Sequence, residues 1–349
     1  LTGFVYGTVR ASLKLVGTGL EALFGATLPE DPDDVGPAGR DALVAAINGV
    51  VGDHLAGSDN PLATPMTLRR AGLPLPADPA ARAEALGEVE AGAVVLLHGL
   101  CMDDRCWTRG GRDFAAELGA GCGLTPLTLR YNSGLHVSTN GHELAEKLED
   151  LVAHWPRRLD RLVLIGHSMG GLVARSAVHY GREAGHRWPD LVSDLVFLGT
   201  PHHGAPLERI GNWTEVILGA TPWFAPFTRL GKMRSAGITD LREGSLVDDD
   251  WADGDRFSPK RGRHRHLPLP EGPRCHAVAA TLNREGVRLA DHTVGDGLVP
   301  VESALGRHRD PHRRLDFPAD HQKIFRGLGH MELLWNDEVR EQILLWLER

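Results

Sequence analysis

A serine set between glycines is the first feature of the chain that could do chemistry. Residues 166–171 read GHSMGG and follow the apolar run RLVLI (161–165). A sharp turn from a strand into a helix imposes unfavourable backbone angles on its middle residue and requires small neighbours. The free N–H groups of the following helix point toward the same spot. The pattern therefore favours Ser168 as an accessible nucleophile over a glycine-rich turn with an incidental serine.

Four further motifs place glycines beside residues of catalytic type. With the serine turn they are, in chain order, LLHGL (96–100), GHSMGG (166–171), GTPHHG (199–204), GDGLVP (295–300) and GLGHMELL (327–334). This set resembles α/β-hydrolases of the bacterial lipase/esterase group, including relatives of the GPI-inositol-deacylase-like hydrolases. The resemblance covers roughly residues 91–349. It implies a mostly parallel sheet with helices on both faces, and a nucleophile, an acid and a base that follow in that order.

A serine hydroxyl needs a base to take its proton, and the base needs a partner that fixes its tautomer. The resemblance implies His330 as the base, because it lies in a glycine-rich loop just before the last helix. His321 is the alternative base, although it lacks the flanking glycines. Asp296 is the predicted acid, since a glycine on each side lets the loop turn its carboxylate inward. Asp291 is its nearest competitor.

The tetrahedral intermediate of acyl transfer requires hydrogen-bond donors for its oxyanion. We expect one to be the backbone N–H of Met169, directly after the nucleophile, and the other to be that of Leu100, in the loop after LLHG. His98 is predicted to be a structural residue of that turn. Adjacent His202 and His203 suggest a metal site, but consecutive side chains on extended backbone diverge and no further ligand set is evident. No metal and no cofactor is therefore predicted.

The elements that must position these residues alternate between strand and helix. Amphipathic spacing predicts helices near 40–55, 112–120, 140–155, 170–181 and 336–348, with Asn140 and Asn336 as N-caps. Apolar runs predict strands near 66–70, 93–99, 127–131, 161–166, 194–200 and 274–281. Alternation of this kind indicates a mostly parallel sheet, and uniformly apolar strands indicate that helices cover both of its faces.

One segment interrupts this alternation. Residues 201–273 lie between two predicted strands and are too long for a simple connection. We interpret them as a cap or lid inserted into a hydrolase domain that spans residues 61–349. Its aromatic residues are equally suited to line an acyl pocket or to form the cap's own small core; they are Trp213, Trp223, Phe224 and Phe227.

The N-terminal region, residues 1–60, is predicted to be a helical extension. Apolar residues spaced by three and four over 1–28 predict a helix that packs on the main domain. The alternative is a peripheral membrane contact, for which Arg10 and Lys14 supply little positive charge. The chain begins with Leu1 rather than Met, which leaves an upstream signal open. A cytoplasmic location is favoured, with secreted and membrane-associated locations as alternatives.

Composition narrows the classes of partner. The 349 residues carry a formal net charge of −8, without the clustered basic face that nucleic-acid binding requires. The basic run at 259–268 is interrupted by Gly and flanked by Pro, so we interpret it as a solvated loop. The four cysteines lack disulfide or zinc spacing and are predicted to be free thiols. No apolar run is long enough for a transmembrane helix.

These residues predict a serine carboxylic-ester hydrolase that acts on a small-molecule or lipid ester through an acyl-enzyme. An acyltransferase using the same three residues is one alternative, and ester exchange in the presence of an added alcohol would separate the two activities. A non-catalytic hydrolase-like binding protein is the other alternative. That class usually lacks a member of the triad, whereas residues of all three types are present here.

Overall fold

The computed structural model describes residues 37–205, 235–252, 266–284 and 295–348. The helices in these ranges are α1 (Pro37–Gly57), α2 (Pro79–Leu86), α3 (Phe114–Cys122), α4 (Val137–Ala153), α5 (Met169–Glu183), α6 (Ala236–Glu243), α7 (Val301–Ala304) and α8 (Asp337–Leu347). The strands are β1 (Thr67–Arg70), β2 (Leu73–Pro74), β3 (Gly92–Leu97), β4 (Thr108–Arg109), β5 (Arg112–Asp113), β6 (Thr125–Arg130), β7 (Arg161–His167), β8 (Val192–Leu198), β9 (Arg274–Thr281) and β10 (Gln322–Arg326).

Eight of these strands form one twisted sheet in the order β10-β9-β8-β7-β3-β6-β1-β2. The six strands from β10 to β6 are parallel, and β1 pairs antiparallel with β6 and β2. The loops that leave the carboxyl ends of β3, β7, β8, β9 and β10 therefore meet at one edge of the sheet. The predicted mostly parallel sheet is confirmed.

Helices cover both faces of the sheet, so all six residues of the central strand β3 are buried. Ala93, Val95 and Leu97 of β3 share a core with α4 and α5. Val94 and Leu96, which point to the other face, share a second core with α3 and α8. The strictly alternating side chains of one strand thus serve two cores.

The N-cap residue predicted for helix α4 is wrong, whereas the N-cap residue predicted for helix α8 is confirmed. Asn336 accepts the N–H of Val339 with its side chain, as an N-cap does. Helix α4, however, begins one turn before Asn140, at Val137. The Val137 N–H donates to the carboxylate of Asp240 at 2.8 Å, so a residue remote in sequence extends the helix. Asn140 instead donates from its side chain to the Asn132 carbonyl.

Helix α1, from the predicted N-terminal extension, packs directly against loops that follow strands of the sheet. Its buried side chains form a small core with Leu62. A Cβ atom at Gly49 would clash with Cys101, and one at Gly52 would clash with Asn132. These two glycines let the helix lie against the loops after β3 and β6. The predicted helix over residues 1–28 lies outside the described residues.

The described part of the predicted cap is hydrogen-bonded to the body. In residues 235–252, the Leu246 carbonyl accepts from Ser176 of α5 at 2.7 Å. The indole N–H of Trp251 donates to Ser138 of α4 at 3.0 Å. Whether residues 201–273 move as a lid stays a prediction.

Two compositional predictions concern the described residues. All four cysteines, each within a described range, are free thiols. No described helix combines the length and the apolar character needed to cross a bilayer.

The edge of the sheet opposite the converging loops carries a buried ionic cluster. Asp194, near the start of β8, accepts hydrogen bonds from Arg161, Arg274 and His276, each at 3.0 Å. Burial alone would raise the pKa of Asp194, but these donors together hold it below its ordinary value. The carboxylate therefore ties together the first residues of β7, β8 and β9.

Asp194→Ala should lower the free energy of unfolding by about 3–5 kcal/mol, because it leaves two arginines and a buried histidine without their shared acceptor. Denaturant unfolding would measure the loss. Asp160→Ala is the control: it breaks the exposed Arg158–Asp160 pair and should cost about 1 kcal/mol or less. Equal losses in the two variants would contradict a stabilising role for the cluster.

Candidate active site

Ser168 occupies a strained turn between β7 and α5. Its backbone is in the left-handed region, with φ 54° and ψ −121°, and is anchored by a 2.8 Å hydrogen bond from its N–H to the Leu198 carbonyl. A Cβ atom at Gly166 would clash with the backbone of Gly171. One at Gly170 would clash with the carbonyl at the end of β3. The glycines of GHSMGG are therefore needed for the helix to follow the strand so closely.

The surroundings of Ser168 differ from the sequence prediction in one respect. We expected a hydroxyl that a substrate could reach directly, but Ser168 is 0% exposed. The loop after β3 explains part of this burial, because a Cβ at Gly99 would lie 3.2 Å from the Ser168 Cβ. The Ser168 Oγ has no hydrogen-bond partner among the described residues.

Asp296 and His330 form a buried pair on neighbouring loops. The Nδ1–H of His330 donates to Asp296 Oδ2 at 2.6 Å, and each side chain is 1% exposed. The other carboxylate oxygen of Asp296 accepts the N–H groups of Leu298 (2.9 Å) and Val299 (2.7 Å). Gly295 has φ 53°, and a Cβ there would clash with the Val299 carbonyl. The GDGLVP turn thus fixes the direction of the carboxylate.

The pair lies beside the serine turn. A Cβ at Gly199 would lie 3.0 Å from the His330 ring, and Gly199 directly follows Leu198, the acceptor of the Ser168 N–H. The ring of His330 also lies 4.6 Å from that of His167, centroid to centroid. Ser168, Asp296 and His330 therefore lie in the same region of the structure, and their catalytic roles stay predictions.

The loop after β3 is held in shape by His98. Its Nδ1–H donates to the Gly99 carbonyl at 2.8 Å, and its Nε2 accepts the N–H of Tyr131 at 3.3 Å. Burial lowers the pKa of His98 to about 4, so the ring stays neutral. These contacts confirm the structural role predicted for His98. Leu100, the next residue but one, is buried in the same loop, and Met169 is the first residue of α5.

The two adjacent histidines of GTPHHG point to different partners. The Nδ1 of His202 accepts from Arg175 at 3.2 Å, whereas the Nε2–H of His203 donates to the Gly306 carbonyl at 2.9 Å. Within the described ranges, no three His, Cys, Asp or Glu side chains cluster as metal ligands.

The alternative base, His321, lies away from the serine turn. The Nδ1–H of His321 donates to the carbonyl of Cys275, at the start of β9, and so lies at the edge of the sheet opposite Ser168. The alternative acid, Asp291, lies outside the described residues, as do four predicted cap residues: Trp213, Trp223, Phe224 and Phe227.

His167 contacts the site but was not predicted to do so. It is fully buried at the end of β7, and its Nε2–H donates to the His330 carbonyl at 3.1 Å. The sequence gives no signal for this contact, since the residue before the serine could as well pack in the core.

A known protein family matches a central part of the chain that includes two of the five motifs, GHSMGG and GTPHHG. Residues 138–267 match the PGAP1-like alpha/beta domain family. Over 126 residues the chain is 36% identical to the esterase PIR7B of Oryza sativa subsp. japonica; this match covers 33% of the chain and 43% of that protein. The chain thus spans less than half the length of this curated relative. The predicted resemblance is confirmed by the family match.

Two solved structures that match this chain at low sequence identity are named as a lipase and an esterase. The lipase BlEst2 of Bacillus licheniformis, in its mature form, matches at 19% identity with a TM-score of 0.47, covering 73% of this chain and 91% of that one. The esterase of Pyrobaculum calidifontis matches at 15% identity with a TM-score of 0.42, covering 88% and 92% respectively.

The neutral state of His98 predicts acid lability. An unfolded histidine takes up a proton near pH 6.5, whereas folded His98 does so only near 4. The unfolded chain therefore binds more protons between these values, and stability falls as the pH drops from about 6.5 to about 4.

His98→Gln should reduce this loss by about one proton, or about 1.4 kcal/mol per pH unit near pH 5. Urea unfolding of both proteins across the range would measure the slope. Identical slopes would show that His98 is protonated in the folded protein as readily as in the unfolded chain.

Proposed function

We propose that this protein, which has the α/β-hydrolase fold, is a serine carboxylic-ester hydrolase working through an acyl-enzyme. The observation that carries the proposal is the buried 2.6 Å hydrogen bond between Asp296 and His330, beside a serine in a left-handed strand-to-helix turn. Asp194 and His276 form another buried pair, but the Asp296–His330 pair lies beside the serine turn, where general-base catalysis requires it. The name of the esterase to which part of the chain is 36% identical supports the proposal.

In the proposed reaction, Ser168 Oγ attacks the ester carbonyl and His330 Nε2 accepts the hydroxyl proton. Asp296 holds the Nδ1–H tautomer, because its Oδ2 accepts that proton's hydrogen bond. His330 then returns the proton to the leaving alcohol. A water molecule deprotonated by His330 releases the acid and regenerates the serine. No cofactor takes part.

The geometry of the site without substrate is compatible with the proposed reaction steps. The Ser168 hydroxyl makes no hydrogen bond with the described residues, and its contact with His330 is proposed to form when substrate binds. Such contacts often tighten only when substrate binds. The N–H groups of Met169 and Leu100 are the proposed oxyanion donors, one at the start of α5 and one in the loop braced by His98.

The substrate is proposed to be a small-molecule or lipid ester. A buried serine requires that the ester enter through a part of the structure that opens, and the predicted cap at 201–273 is the proposed entrance. A panel of p-nitrophenyl esters of increasing acyl length would establish the chain-length preference.

Ser168→Ala should reduce esterase turnover by about four orders of magnitude or more, because the nucleophile is lost while the fold is retained. A fluorophosphonate should label the wild-type protein at Ser168, and peptide mass spectrometry would locate the label. Labelling of another serine, together with an active Ser168→Ala variant, would refute the assignment.

His330→Ala should lower kcat nearly as much as Ser168→Ala, because members of a triad act as a unit. Asp296→Asn should cost about ten- to a hundredfold less, since the base remains but loses its preferred tautomer. His321→Ala is the matched control at the opposite edge of the sheet and should keep wild-type kcat. Loss of turnover in the control alone would contradict the assignment of the base.

A further inference from the structure

His167 connects the nucleophile strand to the loop of the proposed base. It is the last residue of β7 and precedes Ser168 directly. A carbonyl oxygen only accepts hydrogen bonds, so the 3.1 Å contact with the His330 carbonyl places the proton of His167 on Nε2. Burial, together with the neighbouring His330, lowers the pKa of His167 well below its ordinary value. Its ring is therefore neutral, with an unprotonated Nδ1.

The contact adds to the hydrogen bonds that hold His330. Its backbone N–H donates to the Asp296 carbonyl at 3.0 Å, and its ring donates to the Asp296 carboxylate. Both bonds fix His330 relative to the acid. The bond from His167 fixes it relative to β7, and hence relative to Ser168. Strand β10 has already ended at Arg326, so its ladder does not supply this connection.

The opposite side of the His167 ring faces the loop after β3. A Cβ at Gly99 would lie 3.2 Å from His167 Nδ1 and also 3.2 Å from the Cβ of Ser168. The Nδ1 atom itself is buried and has no partner among the described residues. The Trp107 ring packs against the imidazole edge-on, with the centroids 6.5 Å apart. The ring therefore lies where Ser168, His330 and the loop after β3 meet.

We propose that His167 is a positioning residue for the ester hydrolysis, whose Nε2–H holds the His330 loop within reach of Ser168. This inference rests on the proposed function. If His167 only filled space, any side chain of similar volume would serve. If its N–H positions the base, kcat should survive only a substitution that keeps a hydrogen-bond donor at the same distance from the backbone.

The test compares three substitutions. His167→Gln keeps an N–H donor close to the position of Nε2. His167→Met has a similar reach without a donor, and His167→Asn has a donor that is too short to reach. We expect kcat for p-nitrophenyl acetate to fall about 10- to 100-fold in His167→Met and His167→Asn. KM should stay within about twofold in both, and kcat of His167→Gln should stay within about fivefold of the wild type.

His276→Met is the matched control, since it also removes a donor from a buried histidine, but at the opposite edge of the sheet. It should lower the melting temperature and leave kcat unchanged when assayed well below that temperature. Equal kcat losses in His167→Gln and His167→Met, or no loss in either, would overturn the proposal. If His167→Met fails to fold, the same comparison between His167→Gln and His167→Asn decides the outcome.

Failure of the proposed function gives a different result. Wild-type protein that hydrolyses no ester and takes no fluorophosphonate label at Ser168 would refute the ester hydrolase, and the role of His167 with it. If the wild type is active and labelled at Ser168 while the His167 variants keep its kcat, only the positioning role is refuted.

Discussion

The left-handed backbone at Ser168 is the constraint on which the rest of the site depends. A non-glycine residue in such a conformation costs of order 1–3 kcal/mol and persists only where its surroundings over-determine it. Here the surroundings are the hydrogen bond to Leu198, the close approach of α5 to β7, and glycines where any side chain would collide. Strand β7 cannot continue through this residue. The Ser168 side chain therefore lies at the same edge of the sheet as the loops that carry Asp296 and His330.

The second organising feature is the use of neutral imidazole rings as fixed hydrogen-bonding pieces. His98 shapes the loop after β3, and His167 contacts the His330 loop. Burial lowers the pKa of both rings. Uncharged rings can line a dry site without placing positive charges beside the imidazolium that forms on His330 during the proposed reaction. Where the local dielectric is low, a charge-assisted hydrogen bond like that between Asp296 and His330 is stronger than it would be in water.

Much of this arrangement could be predicted from local sequence, because it depends on local rules. Apolar runs located the six strands from β1 to β9 that lie in the main sheet, other than the short β2, and the glycine-flanked motifs located the three residues of the proposed triad. Strand β10 was missed, since its sequence QKIFR alternates weakly and is only half-buried. The start of α4 was misplaced because its N-terminal N–H is capped by Asp240, a hundred residues away, and no local pattern encodes that contact. The burial of Ser168 and the contacts of His167 are likewise tertiary, and the predicted cap aromatics lie outside the described residues.

The packing of α1 has a consequence for the order in which the chain can fold during synthesis. This helix is made early, yet its partners come much later: Cys101 and Asn132 press against its glycines, and Ser235 donates to the Gly49 carbonyl at 2.6 Å. The ribosome must therefore add nearly 190 residues after Gly49 before that last bond can form. Until then the contact between α1 and Ser235 is missing, and incompletely packed intermediates of this kind are prone to aggregation. The packing of α1 is thus completed long after the helix itself has been made.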